Sequence, residues 1–307
     1  MRAMAYDAYG SDDVLTLRDL PEPKVGPGEV RIRVKRAGVN PVDWKVMSGG
    51  LDGLMDAVFP VVPGWDVAGV VETVGIDTPE FEVGDEVVAY ARKDVVHGGT
   101  FAELVTMSVR GVALKSPALS WDEAGGLPLT GLTALQTLDR LVVSASDTVL
   151  VHGGAGGVGA LAVQIAKARG ARVIATASPS NHDFLSDLGA TPVEYGEGSV
   201  ERIRAIAPDG VDVVADFVGG VRDVTMAVLA PGGRHASIAD STVLETGGAW
   251  FWVRPSSEGL AELGRMADAG QLHVPVADVL PLEELPAAFA RSREGHVRGK
   301  LVIAVSD

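Results

Sequence analysis

The chain contains no cysteine, which excludes disulfides, thiolate nucleophiles and thiolate metal sites at once. It has no apolar run of the roughly 18 residues needed to cross a bilayer, and its first residues lack the apolar stretch of a secretory signal. The cytoplasm is therefore the expected compartment. Positive charge is scarce: 26 Lys and Arg stand against 41 Asp and Glu, for a net charge of −15. The acidic residues are spread along the chain rather than gathered in a tail, which argues against nucleic acid or an anionic membrane as partner. The six histidines show no ligand spacing, so no metal site is expected. No Gly-x-Ser-x-Gly elbow is present, so a Ser-His-Asp triad has no footing. His97 reads as a turn residue and His152 as a packed core residue.

What is present is a chain of 307 residues, 47% apolar and 22% charged, long enough for two domains with substantial cores. Its most informative stretch runs from Thr148 to Ser178. Thr148 to His152 is a short β-branched and apolar run of the kind that forms a strand buried on both faces. Five glycines follow within seven residues, Gly153, Gly154, Gly156, Gly157 and Gly159. Leu161, Ile165 and Ala168 then recur at helical spacing until Gly170, and a second buried strand spans Arg172 to Ala177. The spacing Gly153-x-x-Gly156-x-x-Gly159 is a near relative of the dinucleotide-binding fingerprint, and its strand-turn-helix setting is the context that gives such a motif meaning. Gly153, Ala155, Gly156, Gly157 and Val158 are the expected diphosphate contacts, because a helix N-terminus offers unpaired N–H groups and a favourable dipole to an anion.

Residues 1 to about 118 have a different texture. Short β-type runs (Val30 to Arg36, Val67 to Val74, Glu86 to Tyr90) are divided by Pro and Gly turns, as in a mainly antiparallel β domain of barrel type. Trp121 to Leu141 reads as helical. From Thr148 the pattern predicts strands at 148–153, 172–177, 192–195, 211–216, 233–238 and 249–254. Helices are predicted between them at about 157–169, 180–188, 199–206 and 221–229. Six parallel strands in two βαβαβ halves make a doubly wound Rossmann sheet. Strand-like runs after Leu272 return the chain to the first domain. The expected division is 1–118 with 272–307 as a catalytic domain, and 119–271 as the dinucleotide-binding domain.

The end of the second strand bears on the cofactor. An NAD site usually carries an acidic residue about 20 positions after the first glycine, to bind the ribose hydroxyls. Here the chain reads Ala177-Ser178-Pro179-Ser180-Asn181, with no acid before Asp183. Ser178 and Asn181, with Tyr195 at the end of the third strand, can donate hydrogen bonds to a 2′-phosphate that a carboxylate would repel. NADP is the expected cofactor. Val218, Ser237 and Ile238 lie at later C-terminal strand ends, where ligands collect in an open α/β sheet.

The ordered set of segments Ala37-Gly38-Val39-Asn40-Pro41-Val42-Asp43, Pro63-Gly64-Trp65-Asp66-Val67-Ala68-Gly69-Val70-Val71, Val83-Gly84-Asp85-Glu86-Val87, Leu127-Pro128-Leu129-Thr130-Gly131-Leu132-Thr133-Ala134, the glycine turn, Asp212 to Gly220 and Gly295 to Lys300 resembles the zinc-free medium-chain dehydrogenase/reductases of the quinone oxidoreductase type. The resemblance covers essentially the whole chain, and it implies that the first domain is GroES-like. The zinc-bearing branch has Cys where Asn40 stands and Gly-His-Glu where Gly64-Trp65-Asp66 stands, and Asn and Trp cannot replace a thiolate and an imidazole at a tetrahedral zinc. The resemblance implies NADPH-dependent reduction of quinones or of the C=C bond of an enone, with a small molecule as partner.

It further implies that Asn40 lies near the nicotinamide and substrate, and that Lys45 stands where enone-reducing relatives carry a lysine. Thr130 falls in a crossover that runs beside the nicotinamide, and the tail carrying Arg298 and Lys300 comes close to the cofactor. Asp43 and Asp66 read as loop ties more than as substrate contacts. The apolar run Trp250-Phe251-Trp252-Val253 is expected to form an edge strand, 249–254, through which two copies join as a homodimer. Two rival functions stay open: a nucleotide-binding sensor or structural protein without turnover, and a reductase of enoyl thioesters.

Overall fold

A short antiparallel pair, β1 (Arg2–Ala5) and β2 (Thr16–Asp19), opens the computed structural model, which describes residues 1–306. The next strand, β3 (Glu29–Val39), is the long one, because Val30, Ile32 and Val34 alternate along it and are fully buried on one face. It pairs antiparallel with β4 (Asp66–Val74) and β6 (Leu104–Ser108), while β5 (Glu86–Tyr90) joins β4 to β7 (Val112–Leu114). The end of the chain closes this sheet from the other side. β15 (Lys300–Ala304) runs antiparallel to β3 with Leu301 opposite Val39, and β14 (Val276–Pro281) lies parallel to β15. Seven strands therefore form the mainly β sheet, with α1 (Pro41–Met47) following directly on β3 and α9 (Leu285–Glu294) placed between β14 and β15 in sequence.

The chain divides into two compact units, Met1–Leu132 with Pro255 onward, and Thr133–Arg254. Residues 119–132 and 255–271, assigned to the dinucleotide domain from the sequence pattern, pack with the β unit instead. The reason is close backbone approach. In α2 (Trp121–Gly126), a Cβ added to Gly125 would fall 2.6 Å from the Cβ of Arg36, and one added to Gly126 would fall 3.2 Å from the Cβ of Lys300. The later helix α8 (Ser257–Asp268) is tied to the same unit, where Asp268 accepts a hydrogen bond from Ser116 Oγ at 2.5 Å. The helix predicted over 121–141 is two helices, α2 and α3 (Pro128–Arg140), broken at Leu127 because proline has no N–H to continue the first.

The second unit holds a six-stranded, wholly parallel sheet: β8 (Thr148–His152), β9 (Arg172–Ala177), β10 (Thr191–Glu194), β11 (Val211–Asp216), β12 (Leu229–Ser237) and β13 (Ala249–Trp250). Their order in space is β10-β9-β8-β11-β12-β13, the doubly wound arrangement predicted, with its switch point between β8 and β9 on one side and β11 on the other. Helices α4 (Gly157–Ala168), α5 (His182–Asp187), α6 (Ser199–Ile206) and α7 (Arg222–Val228) connect the strands. Leu150, Ile174, Val193, Ile203, Val211 and Val214 form one buried cluster against this sheet.

One strand is shorter than predicted. β13 pairs only Ala249 and Trp250 with β12, and after a last hydrogen bond from Phe251 N to Ser237 O at 2.9 Å the chain leaves the sheet toward Pro255. Trp250 and Trp252 are 49% and 41% exposed. Among the described residues no helix is long and apolar enough to cross a membrane.

Candidate active site

The glycine turn is a construction of backbone. Gly153 sits at φ +74°, where an L side chain is strained. Its N–H donates to Thr176 Oγ1 at 3.2 Å, and that of Gly154 donates to Thr176 O at 2.9 Å, so β9 fixes the turn from the side. A Cβ on Gly159 would stand 2.1 Å from the carbonyl oxygen of Gly153. Only glycine lets α4 begin this close to the end of β8. Gly156 caps the helix with extended backbone and no side chain caps it, so the first-turn N–H groups are left as a donor set for an anion. Gly153, Gly156, Gly157 and Val158 are half-buried and Ala155 is buried.

At the end of β9, Ser178 Oγ lies 3.0 Å from Ser180 Oγ and accepts from Asn181 Nδ2 at 3.1 Å, a cluster of donors without a carboxylate. Tyr195 follows β10 and is 53% exposed. On the other side of the switch point, Asp216 organises two turns that hold sequence-predicted contacts. Its Oδ1 accepts from the N–H groups of Val218 (2.8 Å) and Gly219 (2.9 Å), and its Oδ2 accepts from Ser237 Oγ at 2.7 Å. Ser237 Oγ accepts in turn from the N–H groups of Ala239 and Asp240 at 3.1 and 3.0 Å. Val218 is exposed, Ser237 is buried, and Ile238 N donates to Asp216 O at 3.2 Å. The register sets His152 and Ser237 on either side of Asp216. His152 is the predicted core residue: it is buried, its Nδ1 is 3.3 Å from Thr176 Oγ1, and burial pushes its pKa down to about 4 against the pull of Asp216, so the ring is neutral.

The β unit holds a different kind of site, made of buried side chains. Asn40 caps α1 in a reciprocal capping box with Asp43, whose Oδ2 accepts from Asn40 N at 2.8 Å. The Asn40 carboxamide donates through Nδ2 to Asp66 Oδ2 at 2.8 Å and accepts through Oδ1 from Lys300 Nζ at 2.5 Å. Lys300 Nζ also donates to Val39 O at 2.7 Å and stands 3.8 Å from Asp66 Oδ2. The other Asp66 oxygen, Oδ1, accepts from Leu129 N at 2.7 Å, at the start of α3. Gly38 makes room for this arrangement, since a Cβ there would meet Gly125 O at 2.6 Å and Asp66 Oδ2 at 2.8 Å.

Asn40, Asp43, Asp66 and Lys300 are each 3% exposed or less. Burial raises Asp43 to about 8, with the charge of Asp66 adding to the rise, and its Oδ1 has no hydrogen-bond partner to offset the loss of water. Burial raises Asp66 to about 6, against the opposing pull of Lys300 and the hydrogen bonds from Asn40 and Leu129. Burial holds Lys300 below the ordinary lysine value. Two carboxyls and one ammonium balance when Asp43 keeps its proton, which is the state these shifts favour near neutrality.

The remaining predicted residues fall out as follows. Lys45 is exposed on α1, its Nζ 5.4 Å from the Trp44 ring centre. Thr130 is buried and gives its hydroxyl to Gly126 O at 2.8 Å, bridging from the first turn of α3 to the end of α2. Arg298 is exposed, whereas Lys300 points its ammonium into the Asn40 cluster. Asp43 and Asp66 act as the ties read from the sequence. Sequence pattern alone does not mark Asp216 or Thr176 as functional. Their signal was a polar residue ending an otherwise apolar strand, in Val211-Asp-Val-Val-Ala-Asp216 and Arg172-Val-Ile-Ala-Thr176-Ala.

The donor chemistry does not suit zinc. Where the resemblance implies a metal site in the zinc-bearing branch, this chain presents an amide at Asn40, an indole at Trp65 and one carboxylate, Asp66, already held by Asn40, Leu129 and Lys300. Among the described residues no group of three or more His, Cys, Asp or Glu is arranged to hold a metal.

Comparison with known proteins agrees with the two-unit fold. Residues 26–117 match the model of the alcohol dehydrogenase GroES-like domain, and residues 188–303 match that of the zinc-binding dehydrogenase domain. The chain is 34% identical to the NADPH-dependent alkenal/one oxidoreductase of Arabidopsis thaliana, over 99% of this chain and 79% of that protein. It is 35% identical to the 2-methylene-furan-3-one reductase of Solanum lycopersicum, with the same coverage. Among solved structures, the quinone oxidoreductase of Coxiella burnetii superposes with a TM-score of 0.88 at 34% identity, covering 100% of this chain and 99% of that one. An NAD-dependent alcohol dehydrogenase gives 0.90 at 33% identity over the full length of both chains. The chain belongs to the medium-chain dehydrogenase/reductase superfamily, in its quinone oxidoreductase and enone reductase type.

Proposed function

We propose that this oxidoreductase uses NADPH to reduce quinones or the C=C bond of α,β-unsaturated carbonyls, without zinc. The observation that carries the reading is the Asn40 cluster. A buried amide held between Lys300 and Asp66 keeps one weakly held Nδ2 hydrogen (Nδ2 to Gly38 O, 3.4 Å) where the resemblance implies a metal ligand in the zinc-bearing branch, and in this reading the substrate is polarised by hydrogen bonding. The names of the relatives support the substrate class, and the acid-free end of β9 supports NADP over NAD.

In this reading Gly153, Ala155, Gly156, Gly157 and Val158 bind the diphosphate, Ser178, Asn181 and Tyr195 face the 2′-phosphate, and Val218, Ser237 and Ile238 shape the strand ends beside the cofactor. Bound there, the nicotinamide supplies a hydride. Asn40 donates to the substrate oxygen as negative charge gathers on it, and Lys45 Nζ, which is exposed and rich in donors, stabilises that charge or delivers the proton. Thr130 and Arg298 keep supporting roles at the cofactor. The exposed edge at Trp250 and Trp252 is the surface through which we propose that two copies join, a point that light scattering tests directly.

The experiment is NADPH oxidation with benzoquinone, an alkenal and a crotonyl thioester side by side, before and after treatment with a chelator. Turnover of a quinone or the alkenal, unchanged by the chelator, is the expected result, and Lys45→Ala should lower it by about tenfold or more. NADPH binding with no oxidation by any acceptor sinks the catalytic reading. Activity confined to the thioester moves the chain to enoyl-thioester reduction.

A further inference from the structure

An asparagine at a reacting centre is useful only if its amide faces the right way, and its two ends differ in chemistry while hardly differing in shape. In this protein the neighbours leave no choice. Lys300 Nζ has only hydrogens to give and meets Asn40 Oδ1 at 2.5 Å, while the ionised Asp66 can only accept and meets Nδ2 at 2.8 Å. A flipped amide would set N–H against ammonium and oxygen against carboxylate. The second Nδ2 hydrogen has only a long 3.4 Å approach to Gly38 O, so it is the group's one weakly committed donor. Lys300 is anchored independently by Val39 O at 2.7 Å, and Asp66 by Leu129 N at 2.7 Å, so both holders are themselves fixed to backbone.

We propose that Lys300 and Asp66 are positioning residues that lock the Asn40 carboxamide in one orientation, so that a single Nδ2–H is presented to the developing oxyanion of the substrate. Lys300 thereby acts through Asn40 and not on a cofactor phosphate. The β15 register serves this end, because pairing Leu301 with Val39 brings Lys300 alongside Asn40. The inference rests on the reading that Asn40 lies at the reacting centre.

Four variants of the full-length chain test it: Lys300→Met, Lys300→Arg, Asn40→Ala, and Lys300→Met combined with Asp66→Asn. For each, kcat is measured with an alkenal at saturating NADPH, and the NADPH Kd by fluorescence titration. Lys300→Met should lose about 10- to 100-fold in kcat with the NADPH Kd within about threefold of wild type, the signature of an interaction made only in the transition state. Lys300→Arg should recover most of that loss. The double variant removes an uncompensated buried carboxylate along with its partner, so it keeps the test informative if Lys300→Met fails to fold, and it should remain slow. Wild-type kcat in Lys300→Met or in the double variant, beside a slow Asn40→Ala, overturns the positioning role alone. An NADPH Kd weakened about tenfold at unchanged kcat overturns it in favour of a phosphate contact. Wild-type kcat in Asn40→Ala overturns the placement of Asn40 on which the inference stands.

Discussion

The glycine turn of the parallel sheet and the Asn40 cluster of the β unit handle polar groups in opposite ways. The turn exposes backbone amides and holds them with neutral partners: Thr176 receives Gly153 and Gly154, and the buried His152 beside it is uncharged at neutral pH. The cluster buries side-chain charge and closes it on itself, with Asp43, Asp66 and Lys300 all within 3% exposure. A site made of backbone donors is indifferent to pH across the neutral range and intolerant of a single added methyl group. A site made of buried ionisable groups is sensitive to changes of charge as well, and its state follows proton uptake. Under the proposed function, the turn would grip a constant anion and the cluster would manage a charge that appears during reaction.

The sharpest way to break this contrast is Gly159→Ala. The new Cβ would sit 2.1 Å from Gly153 O, and backbone cannot yield as a side-chain tip can. NADPH affinity should fall by more than about 100-fold, with a destabilisation of about 1–3 kcal/mol, read by fluorescence titration and thermal melting. An alanine variant that binds NADPH normally would show that the turn is not rigid. A smaller effect is expected from Ser178→Asp, which places a carboxylate in the donor cluster at the end of β9. NADPH should lose about tenfold against NADH in Kd, and an unchanged ratio would remove Ser178 from the 2′-phosphate site.

The smallest effect sharpens the other side of the comparison. Asp43 faces Asp66, Lys300, Tyr6 and Tyr90, and its folded pKa of about 8 lies above the unfolded value of 3.8. The folded state therefore holds a proton that the unfolded state has released, so Asp43 subtracts stability as pH rises from about 4 to about 8. Asp66 acts in the same direction between 3.8 and about 6. Lys300, lowered in the fold, subtracts stability below its unfolded pKa, and that loss is relieved as pH climbs toward the ordinary lysine value. Melting temperature against pH should slope downward over the window between about 4 and about 8, and Asp43→Asn should flatten the slope while leaving the NADPH Kd unchanged. A slope that survives in Asp43→Asn would mean that the carboxyl is ionised in the folded protein.

The amino-acid order by itself determined the parts governed by local pattern. Alternation at Val30, Ile32 and Val34 specified a half-buried strand, and the strand-glycine-helix run from Thr148 specified the dinucleotide turn, because neighbours in sequence set both periodicity and φ. Local pattern failed where packing decides. The apolar run at 249–254 predicts a full strand, yet β13 stops after Trp250, since strand length depends on how far β12 offers partners. The fate of 119–132 was set by the fit of Gly125 and Gly126 against Arg36 and Lys300. Most of all, only the pairing of β15 with β3 puts the ammonium of Lys300 against an asparagine 260 residues earlier in the chain. Periodicity names the elements; which charge meets which is fixed by register and burial, both of which belong to the assembled sheet and to no single segment of it.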